Sequence, residues 1–304
     1  MQQGQLAHLQ PLYKLIILFS AVIISGSLST MMMGVIAEPV FNVDVHSIES
    51  MMENVAFMQA YQIIQSISLF VTPSLLAFYL FFRSFRHGIN GKAKISGAFI
   101  AITVAVIFFG QFFIIYTGWL NHQLQLPESM QNIYNWMVDK EAEAGDLTTI
   151  MLQYDNWFQI TITILLLSVL PAIGEEWLFR GLLQHELNNI FNNKHIAILI
   201  TAILFSAIHM QFLTFLPRFF LGIILGYLFV LSGNLWLSVI AHFINNFMAV
   251  VVYMFLNNDD TSPLDMSTEN PFGVGVILSG LVIIAGLYLI NVLSTQKSTQ
   301  PNSY

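Results

Sequence analysis

Residues 157–181 read WFQITITILLLSVLPAIGEEWLFRG. Positions 157–173 carry no charge, and then Glu175, Glu176 and Arg180 arrive within six residues. The apolar part is long enough, with its neighbours, to cross a hydrocarbon core, which takes about 20 residues. A charge at the centre of such a helix costs about 2.5–3.5 kcal/mol, whereas each Leu, Ile, Phe or Val gains only about 0.3–0.6 kcal/mol. Three charges therefore cancel most of what the run supplies. They must lie at the interface, or face protein and be paired. On a helix Glu176 and Arg180 are i,i+4 and stack on one face. Glu175 is rotated about 100° away and points elsewhere. Taken alone, the cluster also fits a purely structural group at the mouth of a helix.

The rest of the chain has the same character. Of 304 residues, 56% are hydrophobic and 9% charged, against about a quarter charged in soluble domains. Eight apolar runs are candidate spans: about 13–36, 56–82, 95–119, 157–180, 195–214, 217–232, 235–256 and 272–293. The fold class is all-α, a polytopic bundle of about eight transmembrane helices. The fifth and sixth runs are short and separated by Pro217. The first run exceeds the core of a signal peptide, about 7–15 residues, and reads as a retained helix. With no cysteine, disulfide and thiolate chemistry are excluded. No basic patch suits nucleic acid, and no Gly-rich phosphate loop is visible.

The net charge of −7 is unevenly spread. Lys14, Arg83, Arg86, Lys92, Lys94, Lys194 and Lys297 fall on one side if there are eight crossings. Glu38 to Glu53, Glu128 to Asp155 and Asp259 to Glu269 fall on the other, where only Lys140 and Arg218 break the pattern. Excess Lys and Arg marks the cytoplasmic side. The expected location is the cell (inner) membrane, multi-pass, with both termini cytoplasmic and the lipid bilayer as partner. Between spans, Met130, Ile133, Tyr134 and Met137 follow Pro127 and Glu128 at helical spacing, which predicts a short amphipathic helix on the outer surface.

Two further apolar runs carry polar residues. In AILFSAIHMQF, 202–212, His209 follows Phe205 by four. In LSVIAHFINNFMAV, 237–250, His242 and Asn246 are four apart and share a face. Asn245 beside Asn246 makes one of the two structural. A lone membrane histidine is usually a hydrogen-bonding partner between helices. Two carboxylates, two histidines and an asparagine within about 70 residues of otherwise apolar sequence are a different matter. Imidazole with carboxylate or amide oxygen suits a divalent metal such as zinc, and a carboxylate beside an activated water can act as general base.

These residues resemble the CPBP family of intramembrane proteases, the CAAX proteases and bacteriocin-processing enzymes, which includes the type II CAAX prenyl endopeptidases. Its three signatures, E-E-x-x-x-R, F-x-x-x-H and H-x-x-x-N, occur in order as Glu175-Glu176-Trp-Leu-Phe-Arg180, Phe205-Ser-Ala-Ile-His209 and His242-Phe-Ile-Asn-Asn246. The resemblance covers about 157–250. It leaves 1–156 as N-terminal helices and an outer loop with no named match, and 251–304 as an outer loop, a last helix and a cytoplasmic tail. It implies a helical bundle that hydrolyses a peptide bond of a membrane-associated protein or peptide. Glu175 would activate the water, which is held by a metal, Zn²⁺ by donor type. Glu176 would support the site, with Arg180 and Phe205 as structural support. His209, His242 and Asn246 would bind the metal or the oxyanion. The family also includes members linked to immunity and scaffolding, so a non-proteolytic membrane interaction or bacteriocin-immunity protein retaining the site is the alternative. A proton-coupled transporter is a third reading, but no repeated halves are visible.

Counted at 1.5 Å per residue, His242 lies about 10 Å deep and His209 about 20 Å deep. Glu175 lies near the inner end of a helix read as 157–180. The fourth helix is therefore expected to continue to about Asn189, with the fifth starting late. His185 and Glu186 on the extension read as surface residues.

Overall fold

A computed structural model describes residues 4–82, 95–124, 126–152, 156–256 and 270–299. Among them there is no strand. The helices are α1 Pro11–Phe41, α2 Ile48–Glu53, α3 Val55–Phe82, α4 Gly97–His122, α5 Gln131–Met151, α6 Trp157–Phe191, α7 Lys194–Ala207, α8 Phe215–Ser232, α9 Leu235–Leu256 and α10 Val274–Thr299. Lys14 lies in α1, and Lys297 in the last turns of α10. Arg83, Arg86, Lys92, Lys94, Asp155, Asp259, Asp260, Asp265 and Glu269, used in the charge argument, lie outside the described residues.

Seven helical segments are long and apolar enough to cross a membrane, in α1, α3, α4, α6, α8, α9 and α10. They match seven of the eight expected runs. The remaining run, 195–214, departs from expectation. Its helix, α7, has only 14 residues, a rise of about 21 Å. The chain then leaves the helix at Ile208, and Met210 takes a left-handed φ of 56°. A short 3₁₀ turn, Phe212–Thr214, leads into α8. The break therefore comes before Pro217, which sits in the first turn of α8, where a missing N–H costs nothing. His209 lies in the turn after α7 rather than inside a helix.

The chain divides into two compact units. The first comprises Met1–Gly88 and Gly145–Asn192, the second Ile89–Ala144 and Asn193–Tyr304. In the first, α1 starts on Pro11 and ends at Asn42 in the left-handed region, with Val43 N–H reaching back to Ala37 O at 3.2 Å. This is the usual way to satisfy the last carbonyls. The outer ridge of α1 leaves Ile23 and Val35 67% and 75% exposed, as suits a helix whose solvent is lipid.

Within the same unit, α3 and α6 share a winding pattern. Each has a five-residue π segment, Ile67–Val71 and Leu165–Val169. Each is followed by an α stretch with proline at its start, Pro73 and Pro171, and then by a second π segment, Phe78–Phe82 and Trp177–Gln184. Proline cannot donate to the carbonyl four residues back and its ring collides with it. Those carbonyls, of Leu69 and Leu167, lie in the first π segments, where the wider winding accommodates the defect. The two helices touch where α6 has Gly174. A Cβ there would lie 2.8 Å from the Phe70 Cβ and 3.3 Å from the Val71 Cγ2, so only glycine permits this approach beside Glu175.

Helix α6 continues to Phe191, as expected from the depth argument. Asn192 closes it in the left-handed region at φ 47°. Asn193 opens α7 at once, its side chain accepting from His195 N at 2.9 Å and Ile196 N at 3.3 Å. The start of α7 is therefore not delayed.

The second unit packs Phe99, Ile107, Leu225, Leu228, Leu237 and Ile290 into its core. Helices α7 and α8 cross at Gly222, where a Cβ would lie 3.1 Å from Ala202; small residues let membrane helices approach this closely. The helix expected after Glu128 is present and longer than expected: Glu128–Met130 forms a 3₁₀ turn and α5 runs for 21 residues.

Candidate functional site

The first group of candidate side chains lies on α6. Glu176 and Arg180 are each 0% exposed and Glu175 is 7% exposed. The Arg180 Nη1 donates to the Glu176 Oε1 at 2.6 Å, the i,i+4 pairing expected from the sequence. Glu175 is also within electrostatic range of the guanidinium, more weakly than Glu176. Arg180 lies in the eight-residue π segment; such winding is rare and often found at functional sites. Four residues on, Gln184 is buried as well, so the row Glu176, Arg180, Gln184 extends the polar ridge one step beyond the motif. Sequence reasoning did not single out Gln184, although the spacing of four carries on to it.

Further along α6, the expectation for Glu186 is corrected. His185 is exposed, but Glu186 is only 1% exposed. The Nζ of Lys14 on α1 lies 3.5 Å from the Glu186 Oε1 and 5.8 Å from the centre of the Phe81 ring. A long-range cation covers this carboxylate, and local sequence gives no sign of it.

The second group belongs to the second unit. Phe205, buried on α7, sits edge-on to both imidazoles: its ring centre is 5.4 Å from that of His209 and 5.7 Å from that of His242. The His209 Nδ1 is 2.8 Å from Phe205 O. A carbonyl only accepts, so Nδ1 carries the proton and a neutral His209 keeps its lone pair on Nε2. This is the arrangement that fixes metal-ligating histidines. His242 is buried, and Asn246 lies one turn later on α9. Asn245 Nδ2 donates to Asn246 Oδ1 at 3.2 Å, and Gln111 Nε2 on α4 donates to Asn245 Oδ1 at 3.3 Å. Asn245 therefore links Asn246 to Gln111 on α4.

The turn carrying His209 is held by residues outside the three motifs. Asn121 on α4 donates to Phe212 O at 2.9 Å and accepts from Leu216 N at 2.7 Å. Glu141 on α5 accepts from Leu213 N at 3.2 Å and from Thr214 Oγ1 at 2.6 Å. Arg218 donates to Thr214 O at 3.2 Å and to Gln211 Oε1. In the sequence Arg218 stands out only as a cation out of place in the charge pattern.

The donor chemistry of the second group suits a divalent ion: two imidazoles, that of His209 with its Nε2 lone pair fixed when neutral, and an amide oxygen. Within either unit, no three His, Asp or Glu side chains among the described residues are grouped closely enough to hold an ion by themselves. Asn246 would have to serve as third donor, as a catalytic site of three protein ligands requires.

The family model for type II CAAX prenyl endopeptidase, Rce1-like, matches residues 157–248, the stretch from the start of α6 into α9 that contains all three motifs. The uncharacterized protein YpbD of Bacillus subtilis strain 168 is 33% identical over 85 residues, 27% of this chain and 40% of that protein. The chain thus spans less than half the length of this curated relative. No solved structure matches. The resemblance carried by the motifs is borne out over this segment, and the apolar helices make the chain a multi-pass membrane protein.

Proposed function

We propose that the chain is a CAAX-type intramembrane endopeptidase that hydrolyses a peptide bond of a membrane-associated protein or peptide. The observation that carries this reading is the Glu175–Glu176–Arg180 cluster: three ionisable side chains at 0–7% exposure directly after the uncharged run 157–173, inside the segment that matches the protease family. Glu175 takes a proton from water, and the resulting hydroxide attacks the carbonyl carbon. The same carboxyl returns the proton to the leaving nitrogen as the C–N bond breaks. Arg180 holds Glu176 in place through their 2.6 Å contact. His209, with its tautomer fixed, together with His242 and Asn246, would hold a divalent ion, Zn²⁺ by donor type, whose chemistry is to polarise the carbonyl as a Lewis acid.

Comparing membranes of cells carrying wild type and Glu175→Ala by quantitative identification of new protein termini tests the activity. Termini that appear only with wild type are expected; identical termini in both point to the non-proteolytic membrane-interaction or immunity reading. The metal has its own readout. Elemental analysis of purified protein should give about one divalent ion per chain, lost in His242→Ala. Full cleavage in strong chelator with no ion detected would leave a mechanism of glutamate alone.

Orientation is part of the same reading. With α7 counted as a crossing, the Lys- and Arg-bearing ends fall on one side, which the positive-inside rule makes cytoplasmic, and both termini lie there in the inner membrane. Reporter fusions at residues 88 and 300 should both read cytoplasm and one at residue 145 the outside. An outside signal at 88 overturns the orientation.

A further inference from the structure

We propose that Glu141, on the helix between the third and fourth long spans and outside the segment matched by the family model, is a positioning residue for His209. The inference rests on the proteolytic reading only for its activity arm. His209 sits at the exit of α7, followed directly by Met210 at φ 56°. A side chain larger than glycine holds that conformation only where its surroundings fix it. The surroundings are the bonds to the next four residues. Gln211 and Thr214 are held by Arg218. Phe212 is held by Asn121, and Leu213 and Thr214 by Glu141.

Glu141 stands apart in this set. It is a carboxylate on α5, and it holds the turn through both of its oxygens. The Thr214 hydroxyl accepts from Arg218 Nη1 and donates to Glu141 Oε1, so a chain of charge-assisted bonds runs from guanidinium to carboxylate through one side chain. Such bonds are stronger than neutral ones and fix direction. Trp136, also on α5, packs its ring 5.5 Å from that of Phe212, so α5 meets the turn at two places. The effect on His209 is geometric. With the turn fixed, the backbone at 205–210 keeps Phe205 O at 2.8 Å from Nδ1, and Nε2 keeps its lone pair and its aim. The neighbouring pair Lys140–Glu143 on the same helix is more exposed and serves as the control.

The test is ¹⁵N NMR of the histidine imidazoles in detergent-purified full-length protein, with the His209 signals identified by their loss in His209→Asn. Wild type should show one neutral tautomer protonated at Nδ1. Glu141→Ala and Thr214→Val should mix or reverse that tautomer, whereas Thr214→Ser and Glu143→Ala keep it. On the substrate found by terminus identification, Glu141→Ala should lower kcat by about ten- to a hundredfold with KM unchanged, in the range expected when a group is misplaced by about 1 Å. Wild-type His209 signals in both Glu141→Ala and Thr214→Val overturn the proposal, even if melting temperatures fall. If Glu141→Ala does not fold, Thr214→Val decides. Should wild type cleave nothing, the proteolytic reading fails while the imidazole spectra still decide whether Glu141 positions His209.

Discussion

Glu175→Gln should leave the protein folded and reduce hydrolysis by about 10²-fold or more, the range for loss of a general acid–base group. Composition cannot rank Glu175 against Glu176, because they are adjacent, identical and both buried. Geometry ranks them. Glu176 lies 2.6 Å from the Arg180 guanidinium and is fully enclosed, so its charge is matched and its position fixed. A base that must take a proton from water and return it to nitrogen cannot also be clamped in that way. Glu175 feels Arg180 less than Glu176 does and keeps a small exposed fraction. The substitution to Gln keeps size and shape, so a defect reports chemistry rather than packing. The measurement is turnover together with melting for Glu175→Gln and Glu176→Gln. Glu176→Gln should lose stability with part of its activity. Normal cleavage by Glu175→Gln beside a dead but well-folded Glu176→Gln would reverse the two roles.

The Glu176–Arg180 pairing was legible in the sequence, and other parts of the site were not, for reasons that lie in the physics of the signal. An i,i+4 ion pair in an apolar helix is local, so the partner of Glu176 can be read from spacing alone. The same holds for Phe205 and His209. The end of α7 was invisible because Ile208, Met210 and Phe212 carry the apolar run on past it, interrupted only by His209 and Gln211. Only the left-handed Met210 marks the break, and a methionine gives no warning of that. Glu141 reaches Thr214 across 73 positions, and Lys14 reaches Glu186 between the first and fourth long spans. Neither contact leaves any periodicity to read. Pro73 and Pro171 do not by themselves give the form of the disturbance; proline in a span can kink, break or widen the winding, and here the π segments absorb it.

Arg180→Ala should be the most destabilising single change in the site, and its effect should fall on the fold before it falls on the chemistry. Arg180 is among the largest fully buried side chains of the described residues. Its removal leaves a hole and, more seriously, a carboxylate at Glu176 with its main counter-charge gone, where neither water nor lipid can replace it. Breaking one side of a buried pair costs about 3–5 kcal/mol. Removing both charges together is a different operation, since the desolvation of each ion disappears with it. Glu176→Gln combined with Arg180→Met should therefore recover most of the stability that Arg180→Ala loses, while activity stays low because Glu175 no longer has a fixed neighbour. Unfolding of Glu176→Gln, Arg180→Met and the double variant in detergent, read as a double-mutant cycle, measures the coupling directly, with Arg180→Ala alongside. If Arg180→Ala unfolds with wild type and the double variant gains nothing over it, the pair does not hold α6. Burial of three charged groups in that span would then need another explanation.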